Sequence, residues 1–146
     1  MIVLMPKVTL VLAALLAFVN GWLSFRVGQV RTSEKVSIGD GGNERVIRRM
    51  RAHANFAENA WVVLILVLAI ELTVGASTWL WVAAALFVLA RIAHGLGMDG
   101  WGPGRSAGTG ITLLLQLALA IWALALPFTA RAHASGPAVE TTVQQG

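Results

Sequence analysis

The chain has 146 residues, of which 57% are hydrophobic and only 12% charged. A soluble domain covers its surface with about a quarter charged residues, so this balance and a mean hydropathy of +0.73 exclude an ordinary soluble protein and call for lipid around most of the surface. Lys and Arg number 11 against 7 Asp and Glu, a net charge of +4, and most arginines flank apolar runs, which fits positive-inside topology better than a nucleic-acid-binding stripe.

There is no cysteine. Disulfides, thiolate metal sites and a cysteine nucleophile are thereby excluded, and any thiol chemistry must arrive with a substrate.

The first apolar run, Val8 to Phe25, approaches the ~20 residues needed to cross a bilayer. It lacks an A-x-A cleavage site, so an uncleaved span is expected. A polar stretch, Arg26 to Arg51, follows and contains Gly39-Asp40-Gly41-Gly42-Asn43. Glycine reaches positive φ without strain, so a plain turn is expected there; a phosphate cradle would need a preceding strand and a following Lys-Ser/Thr.

The second span reads from Ala52 to Gly75, with His53, Asn55, Glu58 and Asn59 in its first turns and Glu71 at its far end. The third reads from Ala76 to Ala93, closing on Arg91 and His94, and the glycines between Gly95 and Gly104 are expected to break it. The fourth reads from Ile111 to Phe128, with Gln116 its one strongly polar residue. The fold expected is therefore an all-α membrane protein, a four-transmembrane-helix bundle over residues 1–130, with a mobile tail over 131–146.

Four spans put both termini on one side. Nine of the 11 basic residues lie in the first and third loops or the helix ends beside them, against Lys7 and Arg131 on the other side. Both termini are thus expected outside the cytoplasm.

Polar residues inside the bundle carry the chemical signal. Arg51, Asn55 and Glu58 share one helical face, and a carboxylate entering a hydrocarbon span needs a partner, for which Arg51 or Arg48 is nearest. Arg91 and His94, at i and i+3, form a second polar face at the same depth. Were the helices adjacent, the two faces would enclose one pocket open to the cytoplasm, with Arg105-Ser106 at its rim.

Bland readings compete with these: an interhelical ion pair for Arg51, Asn55 and Glu58, and an interhelical hydrogen bond for His94. Arg45, Arg48 and Arg49 are expected to contact anionic headgroups, so substituting Arg49 should do little. His53 with Glu58, and His94 with Asp99, are spaced i, i+5, and no metal centre is expected. The physics stops at an arginine-rich pocket suited to an anionic ligand.

The run Glu44-Arg45-Val46-Ile47-Arg48-Arg49-Met50-Arg51-Ala52-His53-Ala54-Asn55-Phe56-Ala57-Glu58 resembles the second-helix signature of the MAPEG family, the membrane-associated proteins of eicosanoid and glutathione metabolism. The Val36 to Asn43 approach resembles its small bacterial branch, and Arg91-x-x-His94 and Arg105-Ser106 extend the likeness over nearly the whole chain.

The resemblance implies a homotrimer in the bacterial inner membrane, with glutathione bound as co-substrate between neighbouring subunits at the cytoplasmic end. It implies that Arg51, Asn55 and Glu58 bind glutathione, that His53 reaches it from the adjoining subunit, and that Arg31, more than Arg26, holds a carboxylate. Arg91 and His94 match third-helix positions. Arg105 matches the arginine credited with stabilising the thiolate, and Ser106 a serine implicated in some members. The inventory suits the ligand, since two carboxylates, an ammonium and a thiol call for several arginines, an acid and a cation near sulfur.

The sequence departs from the family pattern in having no tyrosine; Asn59, His94 and Met98 stand where efficient members place one. The proline common after the second-helix acid is also missing, with Ala60-Trp61 near its place. Two classes of function follow. One is a trimeric glutathione transferase or peroxidase acting on a lipophilic small molecule that arrives through the bilayer. The other is a non-catalytic accessory subunit of a larger membrane complex, or a lipid-binding scaffold.

Overall fold

A computed structural model describes residues 5–129; the tail expected from 131 to 146 lies outside them. Four helices follow in chain order, α1 (Lys7–Ser33), α2 (Glu44–Val74), α3 (Thr78–Gly97) and α4 (Gly102–Thr129). Each is long and apolar enough to cross a membrane.

The helices overrun the apolar runs because burial follows a helical face rather than composition. In α1 the buried positions Val19, Leu23, Arg26 and Val30 recur every three or four residues, so the inward face continues through the polar stretch to Ser33. Asn43 starts α2 early, its side chain accepting from the Arg45 and Val46 amides, which satisfies two of the donors a helix start leaves open. What remains of the first loop is short. It turns where expected, with Gly39, Gly41 and Gly42 all at positive φ and the Asp40 carboxylate accepting from the Gly42 amide at 2.9 Å.

The glycine-rich third loop ends α3 as expected, at Gly97, but the break is shorter. Gly102, Pro103 and Gly104 form the first turn of α4 instead of a break, since proline lacks only a donor that this turn leaves unused anyway. The glycines serve packing. A Cβ on Gly108 would lie 2.7 Å from the His94 Cβ and closer still to the Ala90 carbonyl, and one on Gly97 would strike the backbone of Gly104 and Arg105. α3 and α4 therefore touch backbone to backbone.

In the bundle α1 packs on α2 and α3, α4 packs on α3 and α2, and α2 meets α3 across the diagonal. The core is apolar and mostly aliphatic, built from Leu12, Leu16 and Leu23 of α1, Val63 and Val67 of α2, Leu80 and the aromatic Phe87 of α3 and Leu119 of α4. Leu113, Leu114, Leu117, Ile121 and Leu124 of α4 point outward, as a lipid-facing surface requires.

The far end of the bundle is tied by one carboxylate. Glu71, 1% exposed, accepts from the amides of Val8 and Thr9, each at 2.8 Å, and from the Thr9 hydroxyl at 2.7 Å. An acid from the end of α2 thus caps the start of α1, where the helix dipole favours negative charge. Glu71→Ala is expected to lower the stability of the folded subunit by about 3 kcal/mol, because buried donors lose their acceptor; thermal unfolding in detergent measures it.

Candidate functional site

The arginines gather at the opposite end, and their partners divide them into two sets. Arg26 and Arg49 both bind Asp99, Arg45 binds Glu34, and Arg48 binds Glu44. Arg31, Arg51, Arg91 and Arg105 have no carboxylate partner among the described residues. The second set consists of the four arginines that the resemblance assigns to glutathione.

Each unpaired arginine is held differently. Arg91 is 2% exposed; it donates to Asn55 Oδ1 at 2.7 Å and to the Gly108 carbonyl at 2.6 Å, while its Nε lies buried without a partner. Its guanidinium also sits 5.7 Å from the Phe87 ring centroid. A buried guanidinium answered only by neutral oxygens retains its full charge uncompensated. Arg31 donates to the Ser37 carbonyl and approaches Met50 Sδ, which again leaves its charge unanswered. Arg51 and Arg105 are exposed and line one cleft of about 410 Å³ with Arg48, Glu44, Met98 and the glycines of the α3–α4 connection.

The carboxylates divide in the same way. Glu34, Glu44 and Asp99 hold arginines, Asp40 shapes its turn, and Glu71 caps α1. Glu58 alone has no partner among the described residues. The expected pairing of Glu58 with Arg51 or Arg48 is not formed within the subunit: all three are exposed on α2, Glu58 stands about 10 Å of helix rise beyond Arg51, and Arg48 turns back to Glu44, one turn earlier. That face continues as Trp61, Ile65 and Leu72, all exposed.

The two polar faces do meet, through the Arg91–Asn55 bond. Arg91 and His94 are buried, Arg91 reaching the Gly108 carbonyl of α4, and neither lines the cleft of Arg51 and Arg105. His94 packs against Gly108. His53 is turned toward α1, its Nε2 2.9 Å from Asn20 Oδ1. Ser106 is exposed next to Arg105. Asn59 extends the polar contacts inward, donating to the Asn55 carbonyl at 2.7 Å and accepting from Gln116 Nε2 at 3.0 Å. The one strongly polar side chain of span four thereby has a partner.

Headgroup contact does not describe Arg49. It donates from Nε to Asp99 Oδ1 at 3.2 Å and from Nη1 to the Arg26 carbonyl at 3.0 Å, so it is part of the bundle's framework. By spacing alone Asp99 comes up only as a metal ligand with His94. A lone acid at the depth of a strongly basic loop was the available signal.

A model of the MAPEG family matches residues 9–125. The chain belongs to the MAPEG family. No curated protein and no solved structure matches it. Four membrane-length helices and this membership make it an integral membrane protein, of a family concerned with glutathione and eicosanoid metabolism. The matched span includes the α2 signature, Arg91, His94 and Arg105, and so takes in every unpaired arginine.

In this MAPEG bundle Gly108 supplies both the close approach of α3 to α4 and an acceptor for Arg91. Gly108→Ala is therefore expected to cost about 1 to 3 kcal/mol by overpacking. Thermal unfolding in detergent tests this, and Gly110→Ala is the control, since a Cβ there meets nothing within 4 Å.

Proposed function

We propose that the protein is a glutathione-dependent transferase or peroxidase acting on lipophilic electrophiles. The observation that carries the reading is the division of charges: among the described residues four arginines lack a carboxylate partner and one glutamate lacks a cation, and all five are among the residues the family resemblance assigns to the tripeptide. Glutathione supplies what they lack, carboxylates for guanidinium groups and an ammonium for Glu58. Arg51, Asn55 and Glu58 would hold the peptide, with Arg31 and Arg91 against its carboxylates and His53 and His94 lining its path. Arg105, with Ser106 beside it, would face the sulfur and favour thiolate by Coulomb attraction. The thiolate is the nucleophile.

The same reading makes the protein a homotrimer in the bacterial inner membrane, with the arginine-rich end in the cytoplasm and both termini outside it. Support comes from α2, whose outward face carries Arg51 and Glu58 at the edge of the hydrocarbon. An ionised side chain facing lipid costs about 2.5 kcal/mol or more toward the bilayer centre, and a neighbouring subunit would cover this face. Analysis in mild detergent is expected to give a mass three times that of the 15.5 kDa subunit. A monomer that binds glutathione would overturn the shared site.

The chemistry is tested at Arg105. Arg105→Ala is expected to leave glutathione affinity largely intact, because other arginines hold the carboxylates, while conjugation slows about 100-fold, the scale on which losing one electrostatic stabiliser registers. The ultraviolet absorbance of bound thiolate near neutral pH should fall with it. The second reading, an accessory subunit or scaffold, is favoured by the absence of tyrosine. It predicts that the parent protein binds glutathione without thiolate absorbance, or not at all.

A further inference from the structure

Asp99 lies in the four-residue connection between α3 and α4 and is the meeting point of two arginines from two other helices. Its Oδ2 accepts from Arg26 Nη2 of α1 and from Arg49 Nη2 of α2 at 3.4 Å, and its Oδ1 accepts from Arg49 Nε at 3.2 Å. The clamp is itself anchored. Arg26 also donates to the Gly95 carbonyl at 3.0 Å and lies 4.6 Å from the Trp22 ring centroid, and Arg49 reaches back to the Arg26 carbonyl.

Arg105 stands within a short covalent and packing path of this clamp. Among the described residues α4 packs on α3 and α2 rather than on α1, so the connection adds, to the packing of α4 on α3, a tie between the start of α4 and the α1 side of the bundle. Asp99 is the one residue of that connection whose side chain makes a hydrogen bond. Two residues before it, Gly97 lies against the backbone of Arg105 so closely that no Cβ fits between them. The first turn of α4, Gly102-Pro103-Gly104, is only partly stiffened from within, since Pro103 fixes its own φ while the glycines on either side restrict the backbone least.

The clamp also adjoins the cleft. Asp99 borders a recess of about 330 Å³ whose other walls include Glu44, Arg48 and Met98, and those three also line the cleft of Arg51 and Arg105. The carboxylate therefore stands one wall away from the position assigned to glutathione, facing Arg26 of α1 and Arg49 of α2, with Glu44, Arg45 and Arg48 around the recess.

We propose that Asp99 is a positioning residue for Arg105: by clamping the α3–α4 connection to Arg26 and Arg49 it fixes where the Arg105 guanidinium stands relative to the bound thiol. The inference rests on the glutathione reading. It assigns Asp99 no contact with the ligand, and it places the catalytic geometry under the control of an ion cluster in the recess next to the cleft. A displacement of the order of 1 Å at a stabilising group is enough to slow a reaction substantially.

Charge and position pull in opposite directions, which makes the inference testable. Asp99→Asn removes a negative charge beside the site, so by electrostatics alone it would favour the bound thiolate and lower the pH at which it forms. If Asp99 acts by placing Arg105, the same substitution raises that pH toward the value of free glutathione. A stability role alone would lower the melting temperature and leave the pH unchanged.

The experiment uses the full-length protein in detergent with reduced glutathione. It follows thiolate absorbance against pH and the conjugation of chlorodinitrobenzene, in which the sulfur forms the bond to the aryl carbon and chloride leaves. Asp99→Asn is expected to raise the thiolate midpoint and to lower kcat about 10-fold, with the glutathione KM within about twofold, because the groups that hold the peptide are untouched. Arg49→Lys, which keeps the positive charge but gives up the two-pronged hold on Asp99, is expected to shift both in the same direction by less, and it carries the test if Asp99→Asn does not assemble. A midpoint that stays or falls in Asp99→Asn or, where that variant does not assemble, in Arg49→Lys, with thiolate seen in the parent, overturns the positioning role and leaves the glutathione reading standing. A parent protein with no bound thiolate overturns both.

Discussion

A charge placed at bilayer depth must be answered by another group, since hydrocarbon offers neither hydration nor screening. Much of this structure follows from that constraint. Glu71 is answered by the open amides at the start of α1, and Arg26 by Asp99 and a carbonyl. Arg91 receives two neutral oxygens and an aromatic ring. Where the fold completes the answer, the charge has a structural role. Where the answer is incomplete, at Arg31, Arg51, Arg91, Arg105 and Glu58, the bundle retains unspent binding capacity at one end.

Close packing decides where that capacity is placed. Without glycines at 97, 104 and 108, α3 and α4 would stand further apart, and the Arg91 guanidinium would lose its bond to the Gly108 carbonyl. The same contact carries Arg105 to the lip of the cleft that α2 borders with Arg48 and Arg51. Helix approach and site geometry are thus one feature, and a side chain at these glycines would alter both together.

The absence of tyrosine gives the proposed chemistry its particular character. With no phenolic hydroxyl to donate to sulfur, thiolate stabilisation would rest on guanidinium charge and on the precision with which it is held. Such a site depends on the framework around it more than one with several independent donors would. The double pairing of Asp99, at the root of the segment that presents Arg105, suits that demand.

The sequence by itself determined the class of fold. Long apolar runs between charged loops leave a four-helix membrane bundle, and the α2 signature with Arg91, His94 and Arg105 carried the family. It also named the arginines proposed for the site, Arg51 through the contiguous α2 signature and Arg31, Arg91 and Arg105 through short separate matches. It did not determine the helix ends, since composition marks polarity whereas burial follows a face, and Arg26 and Val30 lie on the inner face of a stretch that reads as loop. Nor could it separate paired arginines from unpaired ones. Arg48 and Arg51 differ by three positions in one basic run, and Arg49 reads as a headgroup contact until Asp99 is brought to it from fifty residues away. Pairing depends on distance in space, and only the packed helices fix those distances.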